Sequence, residues 1–269
     1  MFVARFSVVM GRLVFGALFV ALLAGCVTTT DSRFAREADK DKAIRSYIEL
    51  ATAYLGQGNV ERARVHLDRA LELDSNRPEA LAVLGLVQQS QGDLELAEAS
   101  FQKALRFQPD YTRGRVFYGA FLFGQERFSD AKVQFSQASQ DAGYGERASV
   151  FFNLGMTQER LDELDAARMS YQRSVELSRG DVQSLLALSR VLVSQGEFAE
   201  AARYYSRLTT IMQRNPNMQH SPESLLTGIR IARHYSDWDR ESSLALLLRN
   251  QFPESEEYKQ YKVLISDVQ

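Results

Sequence analysis

Apolar residues recur along this chain as pairs of helical stripes separated by short polar breaks, and the stretch from Leu81 to Asp110 shows the unit most cleanly. Leu81, Leu84 and Gly85 open one stripe, Gly92-Asp93 interrupts it, Ala97, Phe101 and Ala104 carry a second, and Pro109 ends it. Spacings of three and four residues around a tight break predict two amphipathic helices folded back on each other. Small residues at Gly85, Ala97 and Ala104 let the two backbones approach closely, Phe101 fills the space between them, and Pro109 cannot continue a helix. One such hairpin leaves an apolar face wet, so it needs neighbours.

Those neighbours are present. The first copy places Tyr47, Leu50, Ala51 and Tyr54 on one helix and Ala63, Leu67 and Ala70 on the next, with Gly58-Asn59 at the turn. The small residue at Ala51 recurs at Gly85 and Gly119, both after 34 residues, the period of the tetratricopeptide repeat. The third copy has Tyr118, Gly119 and Leu122, then Ala131, Phe135 and Ala138. The fourth follows after 36 residues, with Phe151, Leu154 and Gly155, then Ala167 and Tyr171, and Gly143-Tyr144-Gly145 is expected to absorb the two extra residues. A fifth, with Leu185, Leu188, Ser189, Ala201 and Tyr205, restores the interval of 34. The pattern then loosens from Met212 through Pro216 to His220, which reads as a longer loop. Ser221-Pro222 is an N-cap with proline at the first helical position, opening a helix to about Tyr235. A degenerate second helix is expected from about Asp239 to Asn250 with Leu244, Leu247 and Leu248 inward, ended by Phe252-Pro253, and one more helix from Glu256 to about Asp267. The fold expected is all-α, a right-handed α-solenoid of about six tetratricopeptide hairpins over residues 41–254, closed by a capping helix at 255–269.

Ahead of the repeats, Arg5 and Arg12 precede or flank an apolar run from Leu13 to Leu23 that is too short to span a bilayer, the pattern of a secretion signal. The run ends in Leu23-Ala24-Gly25-Cys26, which resembles the bacterial lipobox. That resemblance implies a cleaved signal peptide at 1–25 and a mature N-terminus at Cys26 carrying acyl chains, palmitate among them, and Val27 rather than aspartate fits sorting to the outer membrane. Several acyl chains hold far more firmly than one, at about 0.8 kcal/mol per buried methylene. Residues 26–40, polar and then charged with no apolar period, are expected to form a flexible tether reaching roughly 45 Å when extended.

Composition narrows the chemistry. Apolar residues make up 45% of the chain, enough for a substantial core. The net charge is −2, and about −4 without Arg5 and Arg12, so nothing points to a nucleic-acid partner. Cys26 is the one cysteine, so there is no disulfide framework. His66, His220 and His234 have no metal-ligand spacing, and no phosphate loop or nucleophile elbow occurs, so neither a metal, a cofactor beyond the lipid on Cys26, nor a small-molecule substrate is expected. Glu95, Glu98, Glu159 and Glu163 read as solvated charges rather than general acids, and the chain is read as not an enzyme.

In tetratricopeptide arrays the first helix of each hairpin lines a groove. Here the corresponding positions include Ile48, Leu86, Val116, Phe152, Met156 and Leu186, joined by Leu55 and Phe123, a largely apolar strip suited to a partner's amphipathic helix or extended peptide. Arg45, Arg113 and Arg190 are placed to rim it and hold an acidic group. Packing between repeats is the competing explanation for every apolar member of the strip.

A lipobox followed by such repeats resembles the type IV pilus pilotins, outer-membrane lipoproteins also described as pilus biogenesis and stability proteins. The more particular pieces are Tyr118-Gly119-Ala120-Phe121-Leu122 and Leu247-Leu248-Arg249-Asn250-Gln251-Phe252-Pro253-Glu254-Ser255. Departures from the general repeat consensus are Gln88 and Gln158 in place of an aromatic residue and Ser75 and Arg179 in place of proline. The resemblance implies a protein lipid-anchored at the periplasmic face of the outer membrane that binds secretin subunits and promotes their localisation and multimerisation. The alternative is a lipoprotein scaffold for cell-wall enzymes or envelope assembly, which combines the same anchor and repeats.

Overall fold

The computed structural model describes residues 33–215 and 217–266. The expected signal peptide, Cys26 and the lipobox-like residues before it, the expected tether up to residue 32, Pro216 and Asp267 lie outside the described residues. The chain divides into two units, residues 1–46 and 47–269.

Thirteen helices and no strands occur among the described residues. The first, α1 (Arg33–Gly56), begins inside the stretch expected as tether. The correction has a local cause: Arg, Ala, Glu and Lys are strong helix formers and need no apolar stripe, and Asp41 pairs with Arg45 one turn on at 3.0 Å.

Six hairpins follow in order: α1 with α2 (Val60–Leu73), α3 (Pro78–Gln91) with α4 (Leu94–Phe107), and α5 (Thr112–Gly124) with α6 (Phe128–Ala138). The last three are α7 (Arg147–Arg160) with α8 (Leu164–Leu177), α9 (Val182–Ser194) with α10 (Phe198–Arg214), and α11 (Pro222–His234) with α12 (Trp238–Gln251). The final helix is α13 (Glu256–Ser266), which packs on both helices of the sixth hairpin through Tyr258, Tyr261 and Leu264. The tetratricopeptide reading of the period therefore holds for the whole array.

The turns are where the sequence marks them. Gly58 and Gly92 adopt left-handed backbone at φ +74° and +88°, and Asn59 caps α2 by accepting from the Arg62 amide. Between the helices the small residue does the work expected of it: a Cβ on Gly85 would sit 2.6 Å from a ring carbon of Phe101, which is fully buried. Gln88 and Gln158, the departures from the aromatic consensus, are satisfied within their own hairpins by Ser100 (2.7 Å) and Ser170 (2.6 Å). The two residues added in the fourth interval fall in 139–146, between α6 and α7.

The sixth hairpin inverts the size pattern. Ile229 stands nine residues before its second helix, as Gly85, Gly119 and Ser189 do, and Ala245 takes the place of Phe101, Phe135 and Tyr205. Ile229 is fully buried among Leu225, Ala245 and Leu248, so the core is kept with the large residue on the other helix. Leu248 is inward as expected and Leu244 half-buried, but Leu247 is 39% exposed. The helical period alone puts Leu247 inside; the structure puts it on a pocket wall.

Candidate functional site

Neighbouring first helices lie against each other where α3 meets α5, α5 meets α7 and α9 meets α11. A groove of about 510 Å³ opens between α7 and α9. Phe152 and Met156 on α7 form one wall and Val182 and Leu186 on α9 the other, with Met212 of α10 and Glu223 of α11 at one end. Phe152 packs its ring at 5.6 Å from that of Tyr171, so the exposed aromatic face rests on a buried one.

One charged network crosses this groove. Arg190 reaches Glu159 at 2.6 Å and Glu223 at 2.5 Å, and the Tyr171 hydroxyl donates to Glu159 at 2.5 Å. Burial opposes the charge on Arg190, but the two carboxylates outweigh it and the guanidinium is held above its ordinary pKa. Tyr171 is pushed well up, first by burial and then by the carboxylate it donates to. The network therefore joins α7, α8, α9 and α11 through one guanidinium.

Of the residues singled out in the sequence, Phe152, Met156, Leu186 and Arg190 come together in this groove. The others are distributed elsewhere. Leu86, Val116 and Phe123 pack half-buried against a second core built on Phe101, Phe121 and Leu122. Phe123 meets Phe128 edge-on at 5.2 Å, and the Arg160 guanidinium lies 5.9 and 5.3 Å from the two ring centres. Ile48 and Leu55 are half-buried on α1. The arginines are not waiting for a ligand: Arg113 is hydrogen-bonded to Tyr144, which raises its pKa, Arg45 pairs with Asp41, and Arg190 is engaged as described.

Sequence reasoning missed Glu159, Tyr171, Glu223 and Met212 as parts of this site. Glu159 and Arg190 are 31 residues apart, close to one repeat, which is the signal that two surface positions of adjacent copies face each other. The same correction applies to the other acids read as solvated. Glu98 pairs with Arg127 at 2.7 Å and accepts from Tyr118 at 2.7 Å, and Glu163 pairs with Lys132 at 2.5 Å; Glu95 alone is exposed as expected. No cluster of His, Cys, Asp or Glu fit to hold a metal occurs among the described residues, and no helix there is long and apolar enough to cross a membrane.

Stacked hairpins around an apolar groove crossed by one ion network define a tetratricopeptide-repeat protein, and tetratricopeptide-repeat families match residues 48–112, 148–181 and 184–217. The relatives narrow this further. The chain is 33% identical over 241 residues to the type IV pilus assembly protein PilF of Pseudomonas aeruginosa, covering 89% of this chain and 93% of that one, and it belongs to that family. The solved structure of Pseudomonas aeruginosa PilF superimposes with a TM-score of 0.76 at 32% identity, covering 84% of this chain and 99% of the other. PilW, described as a widely conserved type IV pilus biogenesis factor, shares the fold with a TM-score of 0.67 at 22% identity, over 81% of this chain and 97% of its own. The chain is thus a tetratricopeptide protein of a type IV pilus biogenesis family.

Proposed function

We propose that this protein is a pilotin, anchored by lipid on Cys26 at the periplasmic face of the outer membrane, that binds secretin subunits of the type IV pilus and promotes their localisation and multimerisation. The observation that carries the reading is the 33% identity to PilF over 89% of the chain. The groove between α7 and α9 supports it, because Phe152, Met156 and Leu186 offer an apolar surface that a partner's extended or helical segment can cover. No bond is made or broken in this mechanism. An anchor confines the bound subunit to its destination membrane and raises its effective concentration there.

The test is deletion of the gene followed by fractionation. Secretin should leave the outer-membrane fraction and its heat-resistant multimers should disappear; normal multimers in the deletion strain refute the proposal. A Cys26→Ser chain should still bind secretin but mislocalise. Phe152→Ala with Met156→Ala should weaken secretin capture while leaving the anchor in place.

A further inference from the structure

One joint of the array is irregular. The helices of hairpin 6 begin 40 residues after those of hairpin 5, at Pro222 against Val182 and Trp238 against Phe198, where the usual interval is 34. The surplus goes to two places. Helix α10 runs 17 residues where α2, α4 and α8 each run 14, and the connection after it spans 215–221 where that before α9 spans 178–181. The extra turn carries Met212 and Gln213, and the long connection carries Met218, Gln219 and His220.

Between these and α12 lies a pocket of about 700 Å³, with Met212, Met218, Leu244 and Leu247 as its apolar walls and Arg240 and His220 on its polar side. No carboxylate lines it. The Arg240 guanidinium lies 5.8 Å from the centre of the Tyr205 ring and has no carboxylate partner among the described residues. His220 is tied to the Ser224 hydroxyl at 2.9 Å, and burial first, then the charge of Arg240, hold it below its ordinary pKa. Arg240 is therefore the one full charge on the lining at neutral pH. Every other arginine of the groove and its rim is already matched to a carboxylate or a tyrosine hydroxyl of this chain.

We propose that this pocket is a second docking site, for a segment of a protein partner that presents a carboxylate flanked by apolar side chains. Charge complementarity sets the carboxylate: a guanidinium oriented by a ring face offers a planar pair of donors, the geometry that carboxylates match. The apolar walls set the neighbours, because thioether side chains adapt to different aliphatic groups and Leu247, 39% exposed, lines the pocket. The pocket and the groove share Met212 and Gln219 in their walls, so the two sites are neighbours. This inference stands on the pocket's own chemistry and holds for any partner, secretin or otherwise.

The experiment titrates the full-length chain, carrying ¹³C-labelled methionine methyls, with acetyl-Leu-Glu-Leu-amide and separately with its Gln analogue, reading the Met212 and Met218 resonances. The Glu peptide should shift both methyls saturably, and the Gln peptide should bind about fivefold more weakly, the upper scale of a solvent-exposed ion pair. In Arg240→Gln the two peptides should bind alike while the remaining methionine signals keep their positions, which separates loss of the site from loss of the fold. Equal affinities for the two peptides in the native chain, a difference that survives Arg240→Gln, or no shift at either methyl overturns the proposal. Octanoate added as a third probe should bind more weakly than the Glu peptide; tighter binding reassigns the pocket to a lipid anion and overturns it too.

Discussion

Replacing Gly85 with alanine should destabilise the protein, although the same change in the middle of a helix ordinarily gains about 1 kcal/mol by limiting the unfolded backbone. At Gly85 the added Cβ would meet three ring carbons of Phe101 at 2.6, 2.7 and 2.8 Å. Phe101 is fully buried, packed at 5.5 Å from Phe121 and 5.8 Å from Tyr118, so its ring has no open side to move into. Overpacking of this kind costs about 1–3 kcal/mol, and with three atoms in overlap the upper half applies, leaving a net loss of about 1–2 kcal/mol. Urea unfolding followed by circular dichroism reads this as a lower midpoint. Gly124→Ala, at the end of α5 with nothing within 4 Å of its Cβ, is the control and should be neutral or slightly stabilising. The decisive variant combines Gly85→Ala with Phe101→Leu, where the smaller side chain vacates the contested space and the two losses should not add. Additive losses, or a Gly85→Ala chain as stable as the parent, would refute the close-packing argument for the small positions of every hairpin.

Three further outcomes follow from the polar contacts. Burial alone would raise the Glu98 pKa, but hydrogen bonds from Arg127 and Tyr118 and the charge of Arg127 hold it below its ordinary 4.5; the stability it contributes is present above that value and lost as pH falls through the depressed one, so Glu98→Gln should flatten the acid limb of a stability profile. Tyr111 is pushed up to about 12, chiefly by burial and then by Glu79; its contribution is present below 10 and lost as pH climbs towards 12, and Tyr111→Phe should remove that part of the alkaline loss. Arg190→Gln should cost about 1 kcal/mol, since it strands the half-buried Glu159 but breaks ion pairs that are partly exposed, and thermal unfolding should show no such loss for Arg173→Gln, whose ion pair lies in solvent.

Hairpin number, helix order and most turns were legible because glycine, proline and N-cap residues impose backbone geometry within a few residues of themselves. Gly92 and Ser221-Pro222 needed no tertiary information to be read. What escaped depended on contacts between repeats. Arg190 reads as a free rim cation until Glu159 and Glu223 are brought to it from 31 and 33 residues away. Leu247 obeys the helical period and is still exposed, because it stands nine residues after the start of its helix, the place that Arg69, Gln137, Arg173 and Arg207 also expose in other hairpins. The segment from Arg33 to Lys40 is helical without an apolar face, which a search for stripes cannot see. Of the expected strip and its rim, Phe152, Met156, Leu186 and Arg190 line the groove because they belong to adjacent hairpins; Leu86, Val116 and Phe123 occupy similar helical positions but spend their apolar surface on the joint itself.

The charged ties between repeats explain why the hairpins are not interchangeable. Glu98 and Lys132 hold equivalent places, 13 residues after Gly85 and Gly119, and their partners Arg127 and Glu163 lie 8 residues after Gly119 and Gly155. The polarity of the tie thus reverses from one joint to the next. A hairpin docked one repeat out of place would set Glu98 against Glu163. Each correct pair, being partly exposed, contributes no more than about 1 kcal/mol, so the ties act mainly by excluding wrong neighbours. The pattern of opposite charges continues outward at the same two places with Arg64 and Asp93 on one side and Arg168 and Glu197 on the other, although Arg64 is paired with Asp68 of its own helix. It stops at the next joint, where the first place is Ala202 and Asp237 instead caps α12 by accepting from the Arg240 amide. That is the joint with six extra residues and the unmatched guanidinium. That joint also opens the pocket, and a partner carboxylate bound at Arg240 would supply from outside a charge contact of the kind that Glu98–Arg127 and Lys132–Glu163 make at two other joints.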